Sequence, residues 1–322
     1  MAPENFFSKK AKLGISACLL GQRVRYDGGH KRDYFLTETF GSYVEWVPIC
    51  PELEVGMGVP RESVRLVGSK HEPKMIADHS GKDWTSQMNS FAAKRAKSLQ
   101  ALELSGYIFK KDSPSCGVER VRVYNSKGMP DRQGRGLYAG AVMRQLPLLP
   151  VEEEGRLNDP GLRENFIERV FAYHRWQQLT KEHKSVRALI VFHTSHKFLL
   201  LAHSVQHYQR LGRMVAEAKK KPIAEAYENY GRIFMEALAV HANAKKHCNV
   251  LEHMVGYFSR QLSAEERKEL AELIADFRRQ LIPLVVPLTL IRHYVKKYEV
   301  AYLQEQVYLE PSPKELMLRN HV

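Results

Sequence analysis

Three of the four cysteines in this 322-residue chain each come after a short apolar segment that predicts a buried strand. The segments span residues 12–16, 43–49 and 106–109, and the cysteines that follow them are Cys18, Cys50 and Cys116. A helical segment over about 86–105 precedes the third strand, and residues 146–151 are a fourth strand candidate. Strands that alternate with helices predict a parallel-sheet, Rossmann-like α/β domain with right-handed crossovers.

The positions of these cysteines predict a shared site. Parallel strands bring their carboxyl ends to one edge of a sheet, where ligands bind in α/β folds. We therefore expect Cys18, Cys50 and Cys116 to become neighbours at that edge. Three thiolates are the number needed to hold an iron–sulfur cubane with one iron left uncoordinated by protein. A Cys₃ zinc site with an open position is the chemical alternative, and three unrelated buried cysteines are the non-functional one.

The second half of the chain has a different character. Residues 184–322 predict helices almost throughout, so an all-α domain follows an α/β domain that spans residues 1–180. Asp159-Pro160 places an N-cap residue before a proline, which predicts a helix over about 161–179 at the end of the first domain. Ser263 and Glu266 have the spacing of a capping box and predict the start of another helix.

The charge balance favours a polyanionic partner. Lys and Arg number 49 against 36 Asp and Glu, a net charge of +13 that is spread over both halves. A long-range positive field attracts nucleic acid first, although a basic enzyme without such a partner is the alternative. The chain has neither a signal-peptide pattern nor an apolar tract long enough to span a bilayer. We therefore expect a cytoplasmic protein with no membrane partner and no obligate protein partner.

The sequence resembles known families in both halves. Residues 12–179 resemble the thiouracil desulfidase family, and the segments that carry the resemblance are 16–21 (SACLLG), 50–56 (CPELEVG) and 110–117 (KKDSPSCG). The second half resembles the YbgA-like family of helical domains through residues 192–197 (FHTSHK) and 249–258 (NVLEHMVGYF). The fused arrangement is similar to the tRNA 4-thiouridine desulfidases.

The resemblance implies a cofactor and a reaction. It implies a [4Fe–4S] cluster held by Cys18, Cys50 and Cys116, whose fourth iron binds the sulfur of the substrate. The implied reaction converts C=S to C=O in thiolated tRNA and releases sulfide without net redox change. Glu52 and Ser113 hold the family positions for acid/base catalysis. Glu54 is the competing carboxylate, because the resemblance is looser at that position.

Two other functions stay open on the sequence alone. A desulfidase of free thiouracil or other thiopyrimidines would share the chemistry but would not need a basic helical domain. The other is a non-catalytic metal-cluster or zinc protein that binds RNA. Under the favoured interpretation, residues 184–322 bind the tRNA while residues 12–179 carry out the chemistry.

Several residues outside these motifs have weaker signals. His193, His196, His203 and His207 invite a metal interpretation, but no carboxylate completes a known ligand pattern, so we expect polar packing or phosphate contacts. Residues 134–136 (GRG) precede a helix and predict either a phosphate cradle or a plain turn. Cys248 lies in the helical half, where a buried cysteine is usually inert, and we do not expect it to bind metal.

Overall fold

The structure is a computed structural model that describes residues 9–181 and 184–321. It contains two compact units, Lys10–Asp159 and the residues from Pro160 onward. The first is α/β and the second is helical, so the predicted fold class is confirmed. The helix Pro160–Lys181 belongs to the second unit, whereas the sequence analysis assigned it to the end of the first domain.

The first unit contains two sheets and three helices of the described chain. The strands are β1 (Ala11–Ser16), β2 (Val44–Ile49), β3 (Val64–Gly68), β4 (Pro73–Ala77), β5 (Gly106–Phe109), β6 (Val121–Tyr124), β7 (Pro130–Gly134) and β8 (Val151–Glu153). The helices are α1 (Pro51–Glu54), α2 (Thr85–Ala101) and α3 (Leu137–Gln145).

The main sheet is parallel and has the strand order β2-β1-β5-β8. All four residues of β5 are buried, and so are five of the six residues of β1. Strands buried on both faces need nearly continuous apolar sequence, which is the pattern that predicts β1 and β5. The prediction of β2 is also confirmed, although in this edge strand only Val44 and Ile49 are buried. The fourth prediction was displaced: β8 begins at Val151, because Pro147 and Pro150 lack the N–H groups that a strand donates.

The second sheet was not predicted. Its order is β4-β3-β6-β7, with two antiparallel hairpin pairs joined by a parallel pairing of β3 with β6. The strand β7 has four exposed residues out of five, so its sequence carries no apolar pattern. Hydrophobic periodicity therefore cannot predict a sheet of this kind.

The second unit is helical, as predicted. Its helices are α4 (Pro160–Lys181), α5 (Val186–Ser195), α6 (Lys197–His203), α7 (Val205–Glu217), α8 (Ile223–Ala239), α9 (Ala244–Val255), α10 (Ala264–Arg278), α11 (Val285–Lys297) and α12 (Ala301–Gln304). The capping box that starts α10 is confirmed, because Ser263 and Glu266 exchange both bonds. Among the described helices, none is long and apolar enough to cross a lipid bilayer.

A buried ion network fixes the C-terminal segment of this unit to α4. Arg319 donates to Glu168 over 2.7 Å, and His203 Nε2 lies 3.0 Å from the other oxygen of that carboxylate. Burial opposes ionisation of Glu168, but Arg319 and His203 outweigh it and lower the pKa of the carboxyl to about 2. Breaking one partner of such a buried pair typically costs about 3–5 kcal/mol.

The helical unit is expected to lose stability in mild acid. Burial, together with Arg319, lowers the pKa of His247 from 6.5 to about 3, and burial lowers that of His196 well below 6.5. The unfolded chain takes up protons below its ordinary histidine pKa, whereas the folded chain keeps these rings neutral. The stabilisation from each neutral ring is therefore fully present above pH 6.5. Below that pH the free energy of unfolding falls by about 1.4 kcal/mol per pH unit for each ring, until the pH reaches the folded pKa of that ring.

Thermal melts followed by far-ultraviolet circular dichroism between about pH 7 and about pH 5 test this expectation. In His247→Gln the midpoint should depend less steeply on pH than in the natural chain. His253→Gln is the matched control, because His253 lies on the same helix and is exposed. Equal pH slopes for the three proteins would contradict the assignment.

Candidate functional site

The three strand-end cysteines line one cavity of about 370 Å³. Cys18 lies in a 3-10 turn (Ala17–Leu20) that continues from β1. Cys50 lies between β2 and α1, and Cys116 lies in the loop that follows β5. Because β2, β1 and β5 are adjacent and parallel, their carboxyl ends meet at one edge. The structure therefore brings together the cysteines that the sequence places far apart.

Burial controls the ionisation of the three thiols. It raises the pKa of Cys18 to about 11, although the positive charge of Lys110 works in the opposite direction. Burial likewise raises the pKa of Cys50 and of Cys116. Within the described residues, no group of three or more Cys, His, Asp or Glu side chains converges closely enough to hold a single metal ion.

Glu52 is held in this cavity by hydrogen bonds to both carboxylate oxygens. Ser115 Oγ donates to Oε1 over 2.5 Å, and Ser113 Oγ lies 3.5 Å from the same atom. Arg61 donates to Oε2 from two nitrogens, over 2.5 and 3.2 Å. Glu54 instead pairs with Arg95 at 3.2 Å and does not line the cavity. Of the two glutamates that the sequence offers, Glu52 is therefore the one that lines the cavity with the thiols.

Arg61 and Ser115 were not among the predicted site residues. Arg61 Nη1 donates to the carbonyls of Gly58 (2.8 Å) and Val24 (3.1 Å). These bonds fix the guanidinium against Glu52. Its side chain is only 6% exposed. Ser115 makes the shorter contact to the carboxylate, although only Ser113 was singled out from the sequence. The adjacency of Ser115 to Cys116 is the signal that could have identified it.

The loop that carries Cys116 is fixed by the start of α3. Leu137 N donates to Pro114 O over 3.1 Å, and Tyr138 N and Ala139 N both donate to Ser115 O over 3.1 Å. A Cβ atom on Gly136 would lie 2.4 Å from Ser115 O, so no side chain fits there. Gly134 ends β7, Gly136 forms a close-packed turn, and the amides of residues 137–139 donate to the cysteine loop.

Ser113 also orders this loop. Its Oγ accepts hydrogen bonds from the backbone N–H groups of Cys116 over 3.1 Å and Ser115 over 3.3 Å. Lys110 N donates to Ser16 Oγ over 2.9 Å, which joins the ends of β1 and β5 beside Cys116. The position of the third thiol therefore depends on side chains as well as on the sheet.

Comparison with known proteins identifies the family. Residues 13–154 match the family described as 2-thiouracil desulfurase, and residues 197–313 match one described as a protein of unknown function, DUF1722. The uncharacterized protein YbgA of Escherichia coli (strain K12) is 40% identical over 154 residues, which are 47% of this chain and 90% of YbgA. The uncharacterized protein YbbK of Bacillus subtilis (strain 168) is 32% identical over 108 residues, 32% of this chain and 71% of YbbK. The chain belongs to the 2-thiouracil desulfurase family. Its second half belongs to DUF1722.

A solved structure is also similar to this 2-thiouracil desulfurase chain. It is described as [4Fe-4S]-dependent thiouracil desulfidase TudS and has 30% sequence identity. The similarity covers 47% of this chain and 95% of that chain, with a TM-score of 0.38.

Basic side chains surround the cavity of the desulfurase domain. Those that line it are Arg25, Lys31, Arg61, Lys110 and Lys111. Lys110 is paired with Glu154 at 2.5 Å, and Tyr26 exposes its ring at the cavity with the Arg25 guanidinium 5.4 Å from the ring centroid. Arg25 and Arg61 are also paired, with Asp27 and Glu52, whereas Lys31 and Lys111 form no ion pair among the described residues. An aromatic face beside two unpaired positive charges suits a planar base that carries phosphate.

The remaining candidates lie in the helical unit and do not assemble into one site. Cys248 is fully buried, and its thiol lies 3.7 Å from the carbonyl of Ile274. The four histidines have separate hydrogen-bond partners, which are Tyr230 for His193, Phe192 O for His196, Glu168 for His203 and Ser204 for His207. These are the polar packing contacts that the sequence analysis favoured over a metal site.

Proposed function

We propose that this chain removes sulfur from 4-thiouridine in tRNA, converting C=S to C=O with release of sulfide by a non-redox route. We further propose that Cys18, Cys50 and Cys116 hold a [4Fe–4S] cluster whose fourth iron has no protein ligand. The observation that supports the proposal best is the single cavity that three cysteines share with Glu52 and Ser113. Membership of the 2-thiouracil desulfurase family supports the reaction class.

The donor set of the cavity fits such a cluster. It offers three thiols, and no histidine or fourth cysteine occurs among the described residues that line it. When bound, the cluster supplies a soft Lewis acid that polarises the C=S bond through its sulfur. Burial raises the pKa of all three thiols, so a bound cationic group that takes up their negative charge favours their deprotonation.

The protein's part in the reaction is to activate and place a water molecule. Glu52 accepts a proton from the water that attacks the thiocarbonyl carbon, and it returns that proton as sulfide leaves. Arg61 and Ser115 hold the carboxylate from opposite sides, so its proton-accepting lone pairs have a fixed direction. Ser113 links the cysteine loop to the carboxylate, because its hydroxyl accepts from Cys116 N and lies close to Glu52 Oε1.

A tRNA substrate is supported by charge. The cavity is lined with basic side chains, and the whole chain carries a net charge of +13. A base stacked within tRNA must be drawn out before it reaches a recessed site, which costs a few kcal/mol that contacts to the backbone offset. A desulfidase of free thiopyrimidines would not need such contacts.

Nucleoside analysis of tRNA after incubation with anaerobically prepared protein tests the proposal. Thiolated tRNA should lose 4-thiouridine and gain uridine in equal amounts, with one sulfide released for each. Free 4-thiouracil should be converted less efficiently, as judged by kcat/KM. Conversion of free 4-thiouracil but not of tRNA would show a desulfidase of free thiopyrimidines. An iron-loaded protein that converts neither substrate would show a non-catalytic cluster protein that binds RNA.

A further inference from the structure

Three distant segments of the helical unit meet at a partly exposed place on its surface. Lys197 begins α6, Tyr257 follows the end of α9, and Tyr302 lies in α12. Lys197 Nζ lies 3.2 Å from Tyr257 Oη, and it is 5.8 and 5.6 Å from the ring centroids of Tyr257 and Tyr302. The two rings stack with their centroids 5.0 Å apart and their planes at 11°. We call these three residues the tyrosine platform.

The tyrosine platform presents an aromatic surface together with an uncompensated charge. Tyr257 is 44% exposed, so part of its ring is open to solvent. Within the described part of the chain, Lys197 forms no ion pair with a carboxylate. Burial opposes its charge, but the hydroxyl of Tyr257 and the nearby phenols outweigh it and raise the pKa of Lys197.

A second lysine of the same unit, Lys297, also lies beside stacked tyrosines, but its contacts are those of a lysine with a purely structural role. Lys297 lies over a stacked tyrosine pair, at 5.7 Å from Tyr294 and 5.0 Å from Tyr298. There the ammonium is neutralised by Glu266 at 2.8 Å. Lys197 has similar aromatic neighbours but lacks this carboxylate, so its charge is available to an anion from outside the chain.

We propose that the tyrosine platform binds one nucleotide of single-stranded RNA, with the base stacked on the exposed ring of Tyr257 and the adjacent phosphate bound by Lys197. Base–aromatic stacking combined with a nearby cation is the usual basis of sequence-tolerant single-strand binding. The net charge of +13 complements such a polyanion. This inference rests on the proposed RNA substrate and assigns part of its binding to a specific place in the helical unit.

Fluorescence anisotropy with a labelled oligouridylate, measured over a salt series on the full chain, tests the proposal. Tyr257→Leu should weaken binding by roughly 5- to 150-fold without changing the salt dependence, because it removes the ring on which the base stacks. Tyr302→Leu should weaken binding less, because it removes only the ring that supports Tyr257. Lys197→Gln should reduce the slope of log K against log salt by about 0.7, because it removes one phosphate contact. Tyr257→Phe should bind almost as well as the natural chain, since it keeps the ring.

Tyr298→Leu and Lys297→Gln are the matched controls and should leave both affinity and slope unchanged. Photocrosslinking of an oligonucleotide that contains 5-bromouridine to the unmutated protein gives an independent measurement, and Tyr257 or Tyr302 should carry the crosslink. Unchanged binding by Tyr257→Leu and Tyr302→Leu, when the natural chain binds RNA, would overturn the platform alone. A natural chain that binds neither the oligonucleotide nor tRNA would overturn the RNA substrate as well.

Discussion

Replacing any one of Cys18, Cys50 and Cys116 with alanine is expected to remove iron and acid-labile sulfide from the anaerobically purified protein and to abolish turnover. The three thiols line the same cavity, and each is carried by a different segment at the edge of the main sheet. Because a cubane with only two protein ligands is poorly held, losing one thiolate should release the cluster. Iron and sulfide assays, with the visible absorbance of the brown protein, measure this loss.

Cys248→Ala is the matched control. Cys248 is buried, as Cys18 and Cys116 are, but it lies in α9, and its thiol contacts the carbonyl of Ile274 and the side chain of Arg278. It should retain the full iron content with a small loss of stability. Full iron in Cys18→Ala, Cys50→Ala or Cys116→Ala would rule out that residue as a ligand, and loss of iron in Cys248→Ala would contradict the proposed set.

The main sheet could be predicted because its central strands are short, buried apolar segments. β5 is the segment GYIF with every residue buried, and a short apolar run of that kind between polar turns is a strong strand signal. Helix boundaries were less predictable. The helix predicted to run to about residue 105 ends at Ala101, and Glu103 then adopts φ +56°, a left-handed conformation that a helix does not contain.

The second sheet could not be predicted because its stabilising contacts are mainly between its own strands. β3 (VRLVG) and β6 (VRVY) are only five and four residues long, too short for a periodic signal. β7 consists of proline, polar and charged residues and is recognisable as a strand only through its pairing with β6. Such strands depend on partners that the sequence does not identify.

The candidate site was predicted to the extent that it follows from sheet topology. Cys18, Cys50 and Glu52 follow closely on β1 and β2, so the parallel arrangement alone brings them to one edge. Cys116 lies further along the loop after β5, and contacts of that loop with Ser113 and the start of α3 complete its placement. Arg61 reaches Glu52 from a loop whose path depends on bonds to Val24 and Gly58. No spacing rule relates an arginine in one loop to a carboxylate nine residues earlier, so only the folded chain reveals this contact.

Glu52→Gln is expected to retain the cluster and to lower turnover by about 10²- to 10⁴-fold, the usual contribution of a positioned acid/base group. Glutamine has the shape of glutamate, and its carbonyl oxygen can still accept from Arg61 while its amide donates to Ser115 Oγ. The site should therefore keep its structure but lose the group that accepts a proton from water. Iron content and sulfide release on the same preparation separate the two effects.

Glu54→Gln is the control for this substitution, because it makes the same chemical change two residues further along α1. Glu54 is turned away from the cavity and forms a partly exposed ion pair with Arg95, so its removal should leave turnover close to that of the natural chain. The larger loss should appear in kcat, since Glu52 acts on the reacting water and not on the RNA backbone. Normal turnover in Glu52→Gln together with a loss in Glu54→Gln would assign proton transfer to Glu54. Normal turnover in both variants would mean that water is activated without a carboxylate from this helix.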